Sequence, residues 1–579
     1  MPNAQEWVLR RRTPDDFLAD HPDLDPLVAR VLYARHIDTP DAIREFLSTD
    51  GSLGDPLLLA DMDHALERIR RAVETQEQIA VYGDFDVDGV TATVLLTSVL
   101  RALRARVQSF IPDRFEDGYG LNIDALDRLQ SGGVTLCVTV DCGVRSNVEV
   151  AHAQAHGLDM VITDHHSVPD VLPEAIAVID PRRTDSDYAF RELAGVGVAF
   201  QVSQALVAAM SDTERGRAAA SAMDAYLDLV ALGTIADVVP LEGENRTLAR
   251  WGLNRLRSAP RPGLQELARV AGIELTGINS TDVAFRIAPR LNAAGRIENA
   301  RIAYQLLNAA TLDEAAPLAK SLDEKNRERQ QLLEKQLAEA SAGIDAESPP
   351  LLLFVEGPDY HEGIVGLVAS RLRELFYRPA LVLRRGPDTA RGSARSIEGF
   401  HITEALESCR DILVRFGGHA QAAGFTLESV QIAPFRDRLL AYADEHLDTA
   451  TLTPRLMVDA IVGLADLAYE PNRGRNTPAA LATLGPFGKG NPEPLLATLG
   501  ANVTDLRRIG SEGKHLRLDI VQNGTPCSCV AFRQGDVADW LNAGDRIDLV
   551  YRPGLNRWQG RESLQLVIEA VRPHQANGA

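Results

Sequence analysis

The chain has 579 residues, of which 45% are hydrophobic and 24% charged. That composition excludes a disordered chain and a coiled-coil rod, and five cysteines are too few for a disulfide-stapled fold. The net charge of −21 argues against a protein that coats nucleic acid through a basic face. No apolar run reaches the roughly 18–20 residues of a membrane span. The opening MPNAQEWVLRRRTPDDF has no apolar core of a secretory signal. A cytoplasmic protein with no membrane partner is therefore expected. Only five of its 60 basic residues are lysines. Coding bias accounts for that arginine excess better than selection for phosphate contacts does, although the guanidinium fork is compatible with phosphate binding.

Residues 1–50 read as a helical lead-in, with apolar residues at helical spacing in ADHPDLDPLVARVLYARHI. Residues 51–314 form the next region. In it the short apolar runs IAVYGD (79–84), VQSFI (107–111), LCVTVD (136–141), DMVITD (159–164) and IAVID (176–180) alternate with helices, including TATVLLTSVLRAL and segments from Ile123 and over 146–156. This is the pattern of a parallel α/β sheet with right-handed crossovers. Asp84, Asp141, Asp164 and Asp180 close four of those strands, and in such sheets the site lies beyond the strands' carboxyl ends. From 198 the chain reads as largely helical, and 315–345 as a charged connecting helix. A second α/β region follows over 346–450, from LLLFVEG (351–357) through VGLVASRLRELF to PALVLRR (379–385). Residues 451–579 carry short alternating strands such as HLRLDIVQ, CSCVAF, DRIDLVYRP and ESLQLVIEAV, the pattern of an OB-like barrel.

Three segments concentrate the chemistry. In YGDFDVDGVT (82–91), Asp84, Asp86 and Asp88 alternate after a strand, which would point them one way. Crowded carboxylates repel unless a cation is present, and oxygen ligands suit Mg²⁺ or Mn²⁺. A calcium loop needs Glu at position 95, which is Leu. Asp164, His165 and His166 run consecutively at another strand end, and a mixed carboxylate–imidazole set suits Mn²⁺ best. In LGTIADVVPL (232–241), Asp237 sits among apolar residues, where a buried carboxylate demands a partner. Against each stands a plainer reading: an acidic turn, a helix cap, or an ion pair. Two ions about 3.5–4 Å apart would clamp phosphoryl oxygens and acidify water.

The order GDFDVDG, VDCG, TDHH, IADVVPL resembles the DHH phosphoesterase superfamily. IPDRFEDGYGL (111–121), IAPRLNAAGRIENA (287–300), YHEGIVGLVASRL (360–372), GSARSIEGFHI (392–402) and FGGHAQAAGFTL (416–427) narrow the likeness to the RecJ family of bacterial single-strand-specific 5′→3′ DNA exonucleases. Phe85 and Tyr360 depart from residues common there, without touching a ligand position. The resemblance implies a DHH catalytic domain, a DHHA1-type second domain and an OB-like nucleic-acid-binding domain. It implies two divalent ions, Mn²⁺ favoured and Mg²⁺ possible, one held by Asp84, Asp86 and Asp141 and the other by Asp88, Asp141, His165 and Asp237. His166 would act at the scissile phosphate and Asp164 would orient the histidines. Arg114, Arg290, Asn292, Arg296, His361, Ser393, Arg395 and His419 would hold the strand and its 5′ phosphate, with GSARS as a phosphate-binding turn. Duplex would be too wide for the channel. By family, the partners are single-stranded DNA with a 5′ end, a RecQ-type helicase and the single-strand-binding protein, in DNA repair and recombination; a monomer is expected.

Two rivals remain. One is a phosphodiesterase of the same superfamily acting on short oligonucleotides or cyclic dinucleotides, for which the carboxy-terminal domain would be superfluous. The other is a non-catalytic single-strand-binding scaffold, which the filled acidic and histidine positions disfavour.

Overall fold

The computed structural model describes residues 5–113, 117, 118, 120–470, 475–558 and 561–575. It contains two compact units, one of Ser52–Pro454 and one that joins Gln5–Gly51 to Arg455–Ala579.

The first unit is built on a five-stranded parallel sheet in the order Arg106–Phe110, Gln78–Gly83, Leu136–Val140, Asp159–Thr163, Ala177–Ile179. Alternation along Gln78–Gly83 explains its two covered faces. Ile79 and Val81 pack with Val94, Leu95, Val198 and Leu232 on one side. Ala80 and Tyr82 pack with Leu126, Leu129 and Val150 on the other. The strand order reverses between Gln78–Gly83 and Leu136–Val140, which opens a crevice beyond their carboxyl ends.

The same unit continues into a mixed sheet ordered Leu413–His419, Ala422–Glu428, Thr389–Arg395, Ala380–Arg385, Leu353–Gly357. A 30-residue helix, Leu312–Ser341, joins the two sheets. Its Ala315, Ala319 and Leu322 lie in the core of the parallel-sheet region. Leu332, Leu333 and Leu337 pack on Val365, Val368 and Leu372 of helix Val365–Phe376. The segment GSARS is not a turn. It lies within Thr389–Arg395, bonded on both sides, with Ser393 opposite Val382 and Gly424. Its backbone groups serve the ladders, and only its side chains are left to meet a ligand.

The second unit is a barrel closed by five strands, Leu496–Ile509, His515–Gln522, Thr525–Ala531, Arg561–Pro573 and Arg546–Trp558, the last returning to pair with the first. The sequence reading missed Leu496–Ile509, whose bulges break its alternation. Residues 5–51 are not solely helical and are not separate from this barrel. Glu6–Leu9 pairs in parallel with Arg455–Val458. Phe17, Leu27, Val31, Leu32 and Ile43 share a core with Leu496, Leu516, Leu518 and Tyr551. The apolar stripe of a short amphipathic helix must be buried somewhere, and here the barrel buries it.

One buried ion pair fastens this arrangement. Arg35 donates from Nε and Nη2 to the two oxygens of Asp459, at 2.9 and 3.0 Å, and from Nη1 to Asn491 Oδ1 at 2.8 Å. The side chains are 9% and 2% exposed. Arg35→Ala leaves the buried Asp459 with only Arg10 Nε at 3.4 Å and the Leu495 amide at 2.9 Å, so it should lower stability by up to about 3–5 kcal/mol in chemical denaturation. A loss below about 1 kcal/mol, the range of an exposed pair, would show the pair to be dispensable.

Candidate metal centre and phosphate pocket

The crevice gathers the acidic residues by three different local devices. The strand Gln78–Gly83 ends immediately before Asp84. Asp86 then caps the helix Val87–Ala102, its Oδ1 accepting from the Asp88 and Gly89 amides at 2.9 and 3.2 Å, and Asp88 falls in the first turn. The three carboxylates therefore do not line up along an extended segment. The chain turns from strand to helix between them and splits them between two groups.

Asp141 follows the strand Leu136–Val140 with φ 63°. That left-handed conformation is costly for a residue with a Cβ and is a common form of strain at functional sites. Helix Gly195–Ala209 starts against it: a Cβ on Gly195 would lie 2.6 Å from Asp141 Oδ1. The Gly195 and Val196 amides donate to Asp88 at 2.7 and 2.9 Å, placing a helix amino terminus on that carboxylate. Gly233 lies as close, since its Cβ would stand 2.6 Å from Asp88 Oδ1. Sequence reading missed both glycines. The only signal was a Gly-Val-Gly run opening an apolar helix.

Asp164 is the anchor of the histidines. Its Oδ1 accepts from the amides of His165 and His166 at 2.8 and 3.2 Å and from His166 Nδ1 at 2.7 Å, and its Oδ2 accepts from the Val144 amide at 2.9 Å. Burial works against its charge, yet the His166 bond holds its pKa down at about 2. Burial also opposes the charge on His166, but Asp164 raises that ring to about 9. His166 is thus a fixed cation at neutral pH. His165 behaves oppositely, with burial and its charged neighbour His166 pushing it down to about 3. It is neutral and able to ligate.

Among the described residues, three groups have ligand atoms within 4.8 Å of one another: Asp84, Asp86 and Asp141; Asp88, His165 and Asp237; and Asp141, His165 and His166. His165 Nε2 lies 3.1 Å from Asp141 Oδ1, 3.6 Å from Asp237 Oδ2 and 3.9 Å from Asp88 Oδ2. Asp141 Oδ1 and His165 Nε2 are buried and make no hydrogen bond. Burial and then the Asp86 charge lift Asp88 to about 7, and burial with the crowd of aspartates lifts Asp141 well above the usual range. Unmet buried donor atoms and carboxylates too crowded to ionise together fit a divalent cation with oxygen and imidazole ligands. Asp237 is not the buried carboxylate expected. It caps helix Leu227–Ala236, with its side chain 24% exposed, beside a strained and solvent-facing Val238 at φ 60°.

A polar cavity of about 220 Å³ adjoins the acids, lined by Asp84, Phe85, Asp86, Asn292, Gly295, Arg296, Gly363, Gly366, Ser393 and Arg395. It brings both sheets of the first unit to one place. Asn292 Oδ1 accepts from the Val87 amide at 3.2 Å, and Arg296 Nη1 donates to Gly363 O at 3.2 Å. His361 Nδ1 accepts from the Gly363 amide at 3.1 Å, just behind the lining. Two residues of the expected set, Arg290 and His419, do not line this cavity. Arg290 faces the long helix, donating to Asp323 at 3.0 Å, and His419 ends an exposed strand outside the lining. Arg114 lies outside the described residues. A larger cavity of about 780 Å³, lined by apolar residues around Leu53, Leu57, Ala205 and Trp251, contains none of these carboxylates.

Comparison with known proteins matches three stretches of the chain. Residues 78–234 match the DHH family N-terminal domain, 349–447 the DHHA1 domain and 472–570 the RecJ OB domain. The single-stranded-DNA-specific exonuclease RecJ of Bacillus subtilis is 39% identical over 98% of this chain and 71% of its own length. The crystal structure of Thermus thermophilus RecJ with Mn²⁺ superposes at a TM-score of 0.82 with 29% identity, covering 99% of this chain and 80% of that one. Its Mg²⁺ complex gives 0.77 at the same identity, covering 99% and 79%.

Because Asp88 holds its proton up to about pH 7, a bound cation must displace it. Mn²⁺ affinity should rise as pH climbs through that value, and go on rising above it while Asp141 still holds a proton. Calorimetry in two buffers of different ionisation enthalpy should show proton release at lower pH. Affinity that ignores pH would mean these carboxylates are already ionised or do not bind the ion.

Proposed function

The chain belongs to the RecJ family of single-stranded-DNA-specific exonucleases, and from that premise we propose that it degrades single-stranded DNA from the 5′ end, releasing 5′-mononucleotides. The observation that carries this reading is the shared cavity, which Asp84 and Asp86 line together with Arg296, Ser393 and Arg395. A cation-holding pole and a phosphate-holding pole thus meet in one small polar space.

In this reading Asp84, Asp86 and Asp141 hold one ion, and Asp88, Asp141, His165 and Asp237 the other. The pair supplies Lewis-acid stabilisation of phosphoryl oxygens and water of lowered pKa. Arg296, Ser393 and Arg395 grip the terminal phosphate, a guanidinium fork matching two of its oxygens. His166, kept charged by Asp164, donates a hydrogen bond to an oxygen of the scissile phosphate. Water adds to phosphorus, the P–O3′ bond breaks, and the terminal nucleotide leaves with a 3′-hydroxyl. The shortened strand keeps a 5′ phosphate and re-enters the same pocket. Asn292 ties the helix of Arg296 to the acidic turn through the Val87 amide, so the two poles keep their spacing. The barrel adds surface for the strand, in keeping with its match to the RecJ OB domain. The site of action is the cytoplasm, with a single-strand-binding protein and a helicase as partners and a monomer as the working form. Among the described residues one helical stretch, Glu214–Ala236, is apolar and long enough to cross a membrane, contrary to the reading of the sequence, and 61% of its most apolar window is buried in the protein.

A single strand of about 30 nucleotides, labelled on its 5′ phosphate and incubated with Mn²⁺, should release labelled mononucleotide at once, while duplex does not. Asp141→Ala should cut kcat by at least about 10²–10³-fold, the scale of removing one preorganised electrostatic group. A ladder of shortened 5′-labelled products would reverse the polarity. Binding without cleavage would favour a scaffold.

A further inference from the structure

Outside the cavity, the long helix carries a cation that the protein leaves unanswered. Arg329 is half-buried, and its Nε is closed to solvent with no hydrogen-bond partner. Among the described residues no carboxylate pairs with it. Its surroundings are cationic instead: burial first, and then the charges of Arg290 and Arg371, depress its pKa. The nearby acids are already engaged. Asp323 takes Arg290 Nε at 3.0 Å and Arg327 Nη2 at 2.6 Å. Glu374 takes Arg371 Nη1 at 2.7 Å. One turn before Arg329, Asn326 is 1% exposed with its Oδ1 also unpartnered. Desolvating a guanidinium without a counter-ion is expensive, and the two carboxylates here already serve four other arginines, Arg290, Arg327, Arg371 and Arg373.

The position says what anion is missing. Arg290 precedes Arg296 of the cavity by six residues on helix Ala288–Ile297, about 9 Å of helical rise. Arg371 follows cavity residue Gly366 by five on helix Val365–Phe376, about 7.5 Å. Both helices lead from the phosphate-holding pole to this cluster. We propose that Arg329, flanked by Arg290 and Arg371, binds an internucleotide phosphate of the strand whose end occupies the cavity. This rests on the function read above and adds a second, separate hold on the substrate. A planar fork suits a phosphodiester, and of the three arginines Arg329 is the one that no carboxylate answers among the described residues.

The test compares wild type with Arg329→Gln and Arg329→Lys on a 5′-phosphorylated strand of about 20 nucleotides and on a 5′-phosphorylated dinucleotide. Arg329→Gln should raise KM for the strand about tenfold and make the fall of log kcat/KM with log salt shallower by about 0.7. The preference for strand over dinucleotide should shrink by the same factor, with the loss on KM more than on kcat. Arg329→Lys should restore most of the salt dependence. If Arg329→Gln does not fold, Arg371→Gln, at an exposed position, should show the same shallower slope. A wild-type slope and wild-type strand preference in a folded variant would overturn the proposal, as would equal losses on both substrates accompanied by a lower Tm. A wild-type protein that cleaves neither substrate would overturn the function itself, and this site with it.

Discussion

Like-charge repulsion at the carboxyl edge of one parallel sheet is the constraint that organises this protein. Asp84, Asp88, Asp141 and Asp164 are all buried there, with Asp86 and Asp237 beside them. Two unit charges 4 Å apart cost about 4 kcal/mol at the effective dielectric of such a site. The surrounding fold supplies a separate remedy for each carboxylate. Asp164 has three donors and a charged histidine. Asp88 has a helix amino terminus. Asp141 has only strain and close packing, and its unmet oxygen faces His165. A stable core on both faces of the sheet is what holds these groups in place. Apolar contacts of strands and helices offset the electrostatic cost concentrated at one edge.

The second constraint is that the substrate is itself an anion approaching a chain of net charge −21. Global steering works against binding, so attraction has to be local. In the function proposed above, Arg296 and Arg395 of the cavity lining supply it, and the proposed Arg290–Arg329–Arg371 site extends it. Both sets straddle the parallel sheet and the mixed sheet. The 30-residue helix Leu312–Ser341, packed into both hydrophobic cores, sets the distance between the cation-holding and phosphate-holding poles.

Much of the fold was legible because apolar strands in a parallel sheet are buried on both faces and read as continuous runs. The strand-closing acids were legible for the same reason: a polar residue at the end of such a run marks the sheet's edge. Legibility failed where residues meet through tertiary contact. Gly195 and Gly233 matter for the absence of a side chain against a distant carboxylate, and no local pattern marks that. GSARS has the composition of a turn, yet its neighbours Ala380–Arg385 and Ala422–Glu428 draw it into a sheet. The strand Leu496–Ile509 was lost because bulges break its period of two.

By itself the sequence determined the alternation of strands and helices, the donor types suited to a hard divalent cation and the order of the motifs that mark the family. All of these are local properties of composition and spacing. The tertiary structure groups Asp84 and Asp86 with Asp141 and turns Asp88 toward His165 and Asp237, a split that spacing does not give and that only the family resemblance implied. It alone placed Arg296 in the cavity and Arg290 outside it, six residues apart on one helix. The physical reason is that a helix rotates each residue by about 100°, so neighbours in sequence face different partners, and which partners those are depends on how separate elements pack.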